Sequence, residues 1–213
     1  NRGGVKIQGQ GGFGREESWI GYATAEYPEN FPLGVTNTYL GCTITVPKNS
    51  TAFVYSESVV DPVNIDGINF IAKDGRTVGN TNAIDFHATF SGPIWNFVIK
   101  NCYFRGFNRA INFESTTQYC VAFVDFSDNA MAQNDDVLYF SDIEELNVTT
   151  NGSRNMSWGL NFEHNRCHDN ARLIRGCFQK DLVNIKQNNL EGLIAFADGT
   201  FPKYAIDLEV GGC

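Results

Sequence analysis

A six-residue pattern, apolar-x-x-Asn-x-apolar, returns four times along this chain. It reads Val98-Ile99-Lys100-Asn101-Cys102-Tyr103, Phe126-Ser127-Asp128-Asn129-Ala130-Met131, Phe162-Glu163-His164-Asn165-Arg166-Cys167 and Ile185-Lys186-Gln187-Asn188-Asn189-Leu190. An earlier version, Ile65-Asp66-Gly67-Ile68-Asn69-Phe70, has Ile where the others have Asn. The starts at 65, 98, 126, 162 and 185 lie some 23 to 36 residues apart. Internal similarity at such intervals marks a solenoid or an array.

Each unit carries a second short apolar run. These are 83–86, 110–113, 137–140, 172–174 and 193–196, ending in Phe86, Phe113, Phe140, Ile174 and Phe196. No stretch holds apolar residues at i, i+3, i+4 and i+7 over three turns, whereas short Phe-, Ile- and Val-rich runs punctuated by Gly, Asn and Asp abound. One repeat cannot bury its own inner face, so repeats must stack and share a core. The expected fold is all-β: a right-handed, single-stranded parallel β-helix with two or three strands per coil. Unequal steps are expected because insertions leave through the turns.

The recurring Asn has a physical reason. At a tight turn its amide can bond the equivalent residue one coil away, and Asn tolerates left-handed backbone. Asn101, Asn129, Asn165 and Asn188 are therefore expected to form an asparagine ladder. Residues 1–60 are expected to hold the N-terminal coil or coils with an aromatic-bearing excursion (Trp19, Tyr22, Tyr27, Phe31, Tyr39). Residues 61–213 should hold the remaining coils, with a loop insertion near 142–157. The chain opens at Asn1 and closes on the fresh alternating run Asp207–Val210, so a fragment of a longer polypeptide is expected.

The formal charge is −8, which argues against nucleic acid, since phosphate binding needs clustered Lys and Arg. It suits a neutral carbohydrate and is awkward for an acidic one. No 18-residue apolar stretch is present, so no membrane insertion is expected. Cys42, Cys102, Cys120, Cys167, Cys177 and Cys213 show no CxxC and no metal-type spacing, and they read as buried free thiols. Neither a metal nor a cofactor is expected. The four sequons at Asn49, Asn147, Asn151 and Asn155 read as chance matches in an Asn-rich chain.

The repeats, the Asn register and the Gly-rich entry Gly3-Gly4-Val5-Lys6-Ile7-Gln8-Gly9-Gln10-Gly11-Gly12 resemble the pectate-lyase-like superfamily. Within it the chain most resembles the tailspikes and capsule depolymerases of bacteriophages. That resemblance implies a homotrimer in the virion tail, outside the cell, that binds and usually cleaves a bacterial surface polysaccharide. The polygalacturonase signatures Asn-Thr-Asp, Gly-His-Gly and Arg-Ile-Lys are absent, as is the pectate-lyase Arg-x-Pro-x-x-Arg, which argues against pectin chemistry. A non-catalytic adhesin or receptor-binding stalk stays open, as does a secreted polysaccharide lyase.

Stacked coils turn a repeat alignment into a surface map, because equivalent residues of neighbouring coils lie about 4.8 Å apart. Aligned first strands place Lys100, Asp128, His164 and Gln187 in one column, the likelier solvent face, and Ile99, Ser127, Glu163 and Lys186 in the next. Aligned second strands place Asp85, Asn112, Tyr139 and Ile174 together, and His87, Glu114 and Ser141 beside Asp142. Retaining glycosidases separate two carboxyl groups by roughly 5–5.5 Å and inverting ones by roughly 6.5–9.5 Å. Asp85 with Glu114, and Asp128 with Glu163, are the candidate pairs. A lyase would instead use His164 with Lys100, or His87, to remove a proton beside a uronate carboxyl. Carboxylates outnumber well-placed cations, which favours hydrolase over lyase. Trp95, Trp158 and Tyr139, with Trp19, are candidate sugar platforms. Phe70, Phe86, Phe104, Phe113, Phe140, Phe162 and Phe196 are expected in the core.

Overall fold

The structure, a computed structural model, describes residues 5–9, 42–55, 63–88, 96–115, 123–140, 159–178 and 182–210. Among the described residues, eighteen strands make six coils of three. Coil 1 holds β1 (Val5–Gln8), β2 (Cys42–Val46) and β3 (Thr51–Tyr55), and coil 2 holds β4 (Val63–Asp66), β5 (Ile68–Ala72) and β6 (Asn82–Ala88). Coil 3 follows with β7 (Phe97–Lys100), β8 (Tyr103–Arg105) and β9 (Arg109–Ser115), and coil 4 with β10 (Phe123–Ser127), β11 (Ala130–Ala132) and β12 (Asp136–Phe140). Coil 5 has β13 (Gly159–Glu163), β14 (Arg166–Asn170) and β15 (Arg172–Phe178), and coil 6 has β16 (Val183–Lys186), β17 (Asn189–Leu193) and β18 (Ile206–Val210).

The first strands of all coils form sheet A, the second strands sheet B and the third strands sheet C. Each is a six-stranded parallel sheet. The chain is a parallel β-helix. Strands this short suffice because each is paired on both sides in coils 2 to 5, where β5, β11 and β12 are buried along their whole length.

The six-residue pattern is the corner between sheets A and B. In coil 4, Phe126 points inward, Ser127 outward, Asp128 turns the chain at φ 56°, and Asn129 lies buried before Met131 returns to the core. The turning residue has positive φ in every coil from 2 to 6: Gly67, Asn101, Asp128, His164 and Gln187. The next residue carries the ladder. Asn129 N–H donates to Asn165 Oδ1 at 3.0 Å, and Asn165 N–H to Asn188 Oδ1 at 2.9 Å. Each Nδ2 donates the other way, to Ile99 O, Phe126 O and Phe162 O.

Asn101 is not a member of this ladder. Ile99, and not Val98, pairs with Phe126, so the corner of coil 3 falls one residue later than the sequence pattern suggests. Asn101 occupies the left-handed turn (φ 54°), which Asn tolerates. Buried Cys102 takes the ladder position: its N–H donates to Asn129 Oδ1 at 2.9 Å and its thiol lies 3.2 Å from Lys100 O.

A second ladder runs along the corner between sheets B and C. Phe107 N–H donates to Asn134 Oδ1 and Asn134 N–H to Asn170 Oδ1, while their Nδ2 groups reach Phe104 O and Met131 O. Here too the preceding residue turns with positive φ, at Gly106, Gln133 and Asp169.

Phenylalanines stack along the axis inside. Phe70 lies 5.0 Å from Phe104 at 2°, Phe126 5.5 Å from Phe162 at 4°, and Phe113 4.4 Å from Phe140 at 15°. Six of the seven expected core phenylalanines are buried. The exception is Phe196, half-buried against the Arg172 guanidinium, because 194–196 is not strand and the third strand of coil 6 is β18. Cys102 and Cys167 are buried free thiols, and burial pushes the Cys102 pKa up to about 12. Cys42 is free but exposed, at the edge of sheet B. Sequons Asn147, Asn151 and Asn155, the aromatic excursion and the 142–157 loop lie outside the described residues.

Candidate functional site

Among the described residues, the outer face of sheet A carries a run of charged and amide side chains. Alternation along each strand sends two residues outward, and pairing sets them in two columns. One holds Asn64, Val98, Asp125, Asn161 and Asn184; the other holds Asp66, Lys100, Ser127, Glu163 and Lys186. The turning residues Asn101, Asp128, His164 and Gln187 make a third row at the edge of the sheet.

The one-residue shift in coil 3 revises the expected columns. Lys100 is a strand residue level with Ser127, Glu163 and Lys186, and Asn101 takes its place in the row of Asp128, His164 and Gln187. Ile99 leaves the surface altogether and lies in the core with Phe126 and Phe162.

A connected polar network crosses coils 3 to 6. Lys100 Nζ reaches Asp125 Oδ2 at 2.7 Å. Asn161 Nδ2 donates to Asp125 Oδ1 at 3.0 Å and to Glu163 Oε1 at 2.9 Å. Lys186 Nζ closes on Glu163 Oε2 at 3.0 Å, and Asn184 Nδ2 donates to Asn161 Oδ1 at 2.5 Å. The two N–H bonds of one amide diverge by about 120°, so the oxygens they serve lie on the order of 5 Å apart, near the carboxylate spacing of retaining glycosidases. Asn161 thus sets the distance between Asp125 and Glu163.

Both ends of this network are charged. The Asn161 hydrogen bond, then Lys186, hold the Glu163 carboxyl below its usual range. The hydrogen bond to Asp125 raises the Lys100 pKa against an opposing desolvation, and Asp128 and Glu163 add to the rise. Ser127 lies between Lys100 and Glu163 in their column, only 2 % exposed, and its Oγ has no hydrogen-bond partner.

The expected pairings are therefore partly replaced. Glu163 belongs to the network, but its partner carboxylate is Asp125 and not Asp128. Asp128 sits exposed in the turn, with its N–H on Glu163 O at 3.1 Å. His164 is exposed too, and its Nε2 lies 2.5 Å from Gln187 Oε1 in coil 6, while Lys100 is engaged by Asp125 in coil 4. The His164 and Lys100 pair expected of a lyase is not assembled. Asp125 had a signal in the sequence, the alternation of Phe123-Val124-Asp125-Phe126, hidden by the misplaced register of the coil before it.

Sheet C brings Asp85, Asn112 and Tyr139 into one outward column, with Arg175 in place of Ile174, which is buried in the core. His87 pairs in register with Glu114, and Asp85 with Asn112. The side chains of His87 and Glu114, and all of Ser141, Asp142, Trp95 and Trp158, lie outside the described residues. Asp85 is buried and accepts from Thr51 Oγ1 at 2.6 Å and Asn82 Nδ2 at 2.9 Å. Tyr139, expected as a sugar platform, is 1 % exposed, and the Arg109 guanidinium lies 3.6 Å from its ring centroid. A ring covered by a guanidinium offers no open face to a pyranose, so that expectation is corrected. Asp136, beside Arg109 in register, is clasped by Arg172 at 2.5 and 3.1 Å.

Among the described residues no three His, Cys, Asp or Glu side chains converge as metal ligands. Comparison with protein-family models, with curated proteins and with solved structures finds no match to this chain.

Proposed function

We propose that this chain is a tailspike-type β-helix that binds a bacterial surface polysaccharide along the outer face of sheet A. The observation that carries the reading is the Asp125–Asn161–Glu163 network, a hydrogen-bonding surface laid across coils about 4.8 Å apart along the axis. Carboxylates and amides at such intervals suit the hydroxyls of an extended glycan. A homotrimer at a virion tail belongs to the same reading and rests on the resemblance of the repeats and the Gly-rich entry.

Depolymerisation by hydrolysis is the chemistry favoured within it, and the spacing of Asp125 and Glu163 is what favours it. Glu163, held ionised by Asn161 and Lys186, suits the nucleophile of a retaining mechanism. Asp125 would be the acid, and for that the Lys100 ammonium at 2.7 Å must move off it. Binding without cleavage is the reading that the closed Lys100–Asp125 pair favours.

The test is incubation with a panel of capsular and O-antigen polysaccharides, following binding, reducing ends and absorbance near 235 nm. Reducing ends without absorbance, lost in E163Q, support the hydrolase. New absorbance would make the protein a lyase and move the chemistry elsewhere. Binding with neither signal leaves a receptor-binding module, and no binding across the panel sinks the polysaccharide reading. Sedimentation equilibrium tests the trimer separately.

A further inference from the structure

We propose that coils 3 to 5 of sheet A take an uncharged sugar unit, held through its hydroxyls by Asp125 and Glu163 and anchored on the sealed hydroxyl of Ser127. The inference rests on the polysaccharide reading above and names the class of sugar that the face accepts.

Charge is the first argument. Among the described residues of these three coils, the outer face and its turn row carry one ammonium, Lys100, and the imidazole of His164, against Asp125, Asp128 and Glu163. Lys186, in coil 6, is spent on Glu163 at 3.0 Å, and Lys100 is spent on Asp125 at 2.7 Å. A uronate or phosphate arriving here meets an excess of negative charge and no uncommitted ammonium or guanidinium. It would have to break an existing ion pair to gain one of its own. A neutral hydroxyl meets no such obstacle. Each carboxylate oxygen of Asp125 and Glu163 accepts one hydrogen bond in the network. An ionised carboxylate offers about four lone-pair sites, so each oxygen can accept one more O–H.

Ser127 supplies the second argument, independent of charge. Buried hydroxyls are mostly hydrogen-bonded, and one left without a partner calls for an explanation. The Ser127 Oγ has none, at 2 % exposure, on the outward side of its strand between Lys100 and Glu163. A hydroxyl is both donor and acceptor. Its natural complement is another hydroxyl, and sugar hydroxyls are what a glycan brings. Sealed in the free protein, the Ser127 hydroxyl is satisfied in the complex only once the side chains over it part, which makes its contribution specific to binding.

The experiment pairs a glycan array with a variant. Bacterial capsular and O-antigen polysaccharides are sorted into neutral, uronate- or phosphate-bearing, and free-amine classes. The full chain is then assayed on each, with S127A and the nearly isosteric S127C alongside. Neutral glycans are expected to be bound, with affinity that changes little between low and high salt. S127A is expected to bind about tenfold more weakly, the loss of roughly one well-made hydrogen bond, with an unchanged or higher melting temperature. S127C repeats the loss of affinity should S127A fold poorly. Acidic or amine-bearing glycans bound as tightly as neutral ones would overturn the inference while leaving the polysaccharide reading intact. Wild-type affinity in both Ser127 variants would overturn the anchor. No binding in any class would bring down the polysaccharide reading and this inference with it.

Discussion

The backbone N–H of Cys102 donates to the side-chain carbonyl of Asn129 at 2.9 Å, so a cysteine closes the lower end of an asparagine ladder. The bonds are directional: each backbone N–H points to the coil above, and each amide points back to the carbonyl of the coil below. The cysteine makes the first kind, and in place of the second it has only a long thiol contact to Ile65 O at 3.8 Å.

Removing a central rung should therefore cost more than removing an end. Asn165→Ala takes the acceptor from the buried Asn129 N–H and the amide donor from the Phe126 carbonyl, at roughly 1–3 kcal/mol for each lost bond. A total loss of about 2–5 kcal/mol is expected in urea unfolding. Cys102→Asn should be neutral or gain about 1 kcal/mol, because a new amide can reach toward Ile65 O, which the thiol now meets only at 3.8 Å. A loss larger than that of Asn165→Ala would contradict the directional account.

The turning row allows a backbone test. His164 sits at φ 56°, where coil 2 uses glycine. His164→Gly should leave stability unchanged or improve it, whereas His164→Val should lose on the order of 1–2 kcal/mol. Equal melting temperatures for the two variants would show that the corner relaxes.

The Asp136–Arg172 pair predicts a pH signature. Burial raises the Asp136 pKa above 3.8, against the lowering effect of Arg172. A raised folded pKa gives a contribution that is full below 3.8 and is lost as pH rises through the folded value. Arg172→Leu removes the bidentate partner and should destabilise by about 3–5 kcal/mol at pH 7. The loss should shrink on acidification, as Asp136 takes up its proton. A deficit independent of pH in melting curves between pH 4 and 7 would remove Asp136 as its origin.

Glu163 should behave the opposite way. Its carboxyl titrates below 4.5 because of Asn161 and Lys186, so its contribution is present above 4.5 and is lost as pH falls through the lower folded value. Carbon-detected NMR titration should show Lys186→Ala moving that midpoint up. An unmoved midpoint would mean that the Lys186 contact does not persist in solution.

Gly176 completes the aromatic column of Phe86, Phe113 and Phe140. A methyl group there would lie 2.7 Å from Phe140 Cβ. Gly176→Ala should cost about 1–3 kcal/mol through overpacking. Gly176→Ala combined with Phe140→Leu should recover part of that loss in a double-mutant cycle.

How much of this was legible in the sequence depended on how many constraints met at one position. At the corner of sheets A and B, inward Phe126, left-handed Asp128, buried Asn129 and inward Met131 follow one another without a gap, so the corner stood out. Coil 3 is ambiguous in sequence because Asn101 and Cys102 each satisfy one of two adjacent demands, the left-handed turn and the buried rung, and only Asn101 matches the repeated letter. The second ladder was missed because Phe107 stands where Asn134 and Asn170 stand later, leaving too few matches. Alternation shows that Tyr139 points away from the core, but not that it is covered. The Asp125–Glu163 pair depends on the register of the coil before it, and so inherits the ambiguity.

Between coils 2 and 6 the corner after sheet A keeps one length, a left-handed residue followed by one that is buried in coils 2 to 5 and half-buried in coil 6. Sheet A and its turn row consequently present the same profile at each step along the axis, like the teeth of a rack. A long, regular chain lying on such a rack has several equivalent seats, one coil apart, and only the side chains distinguish them. Advancing by a single tooth brings Asp125 and Glu163 under a different unit of the same chain without reshaping the surface.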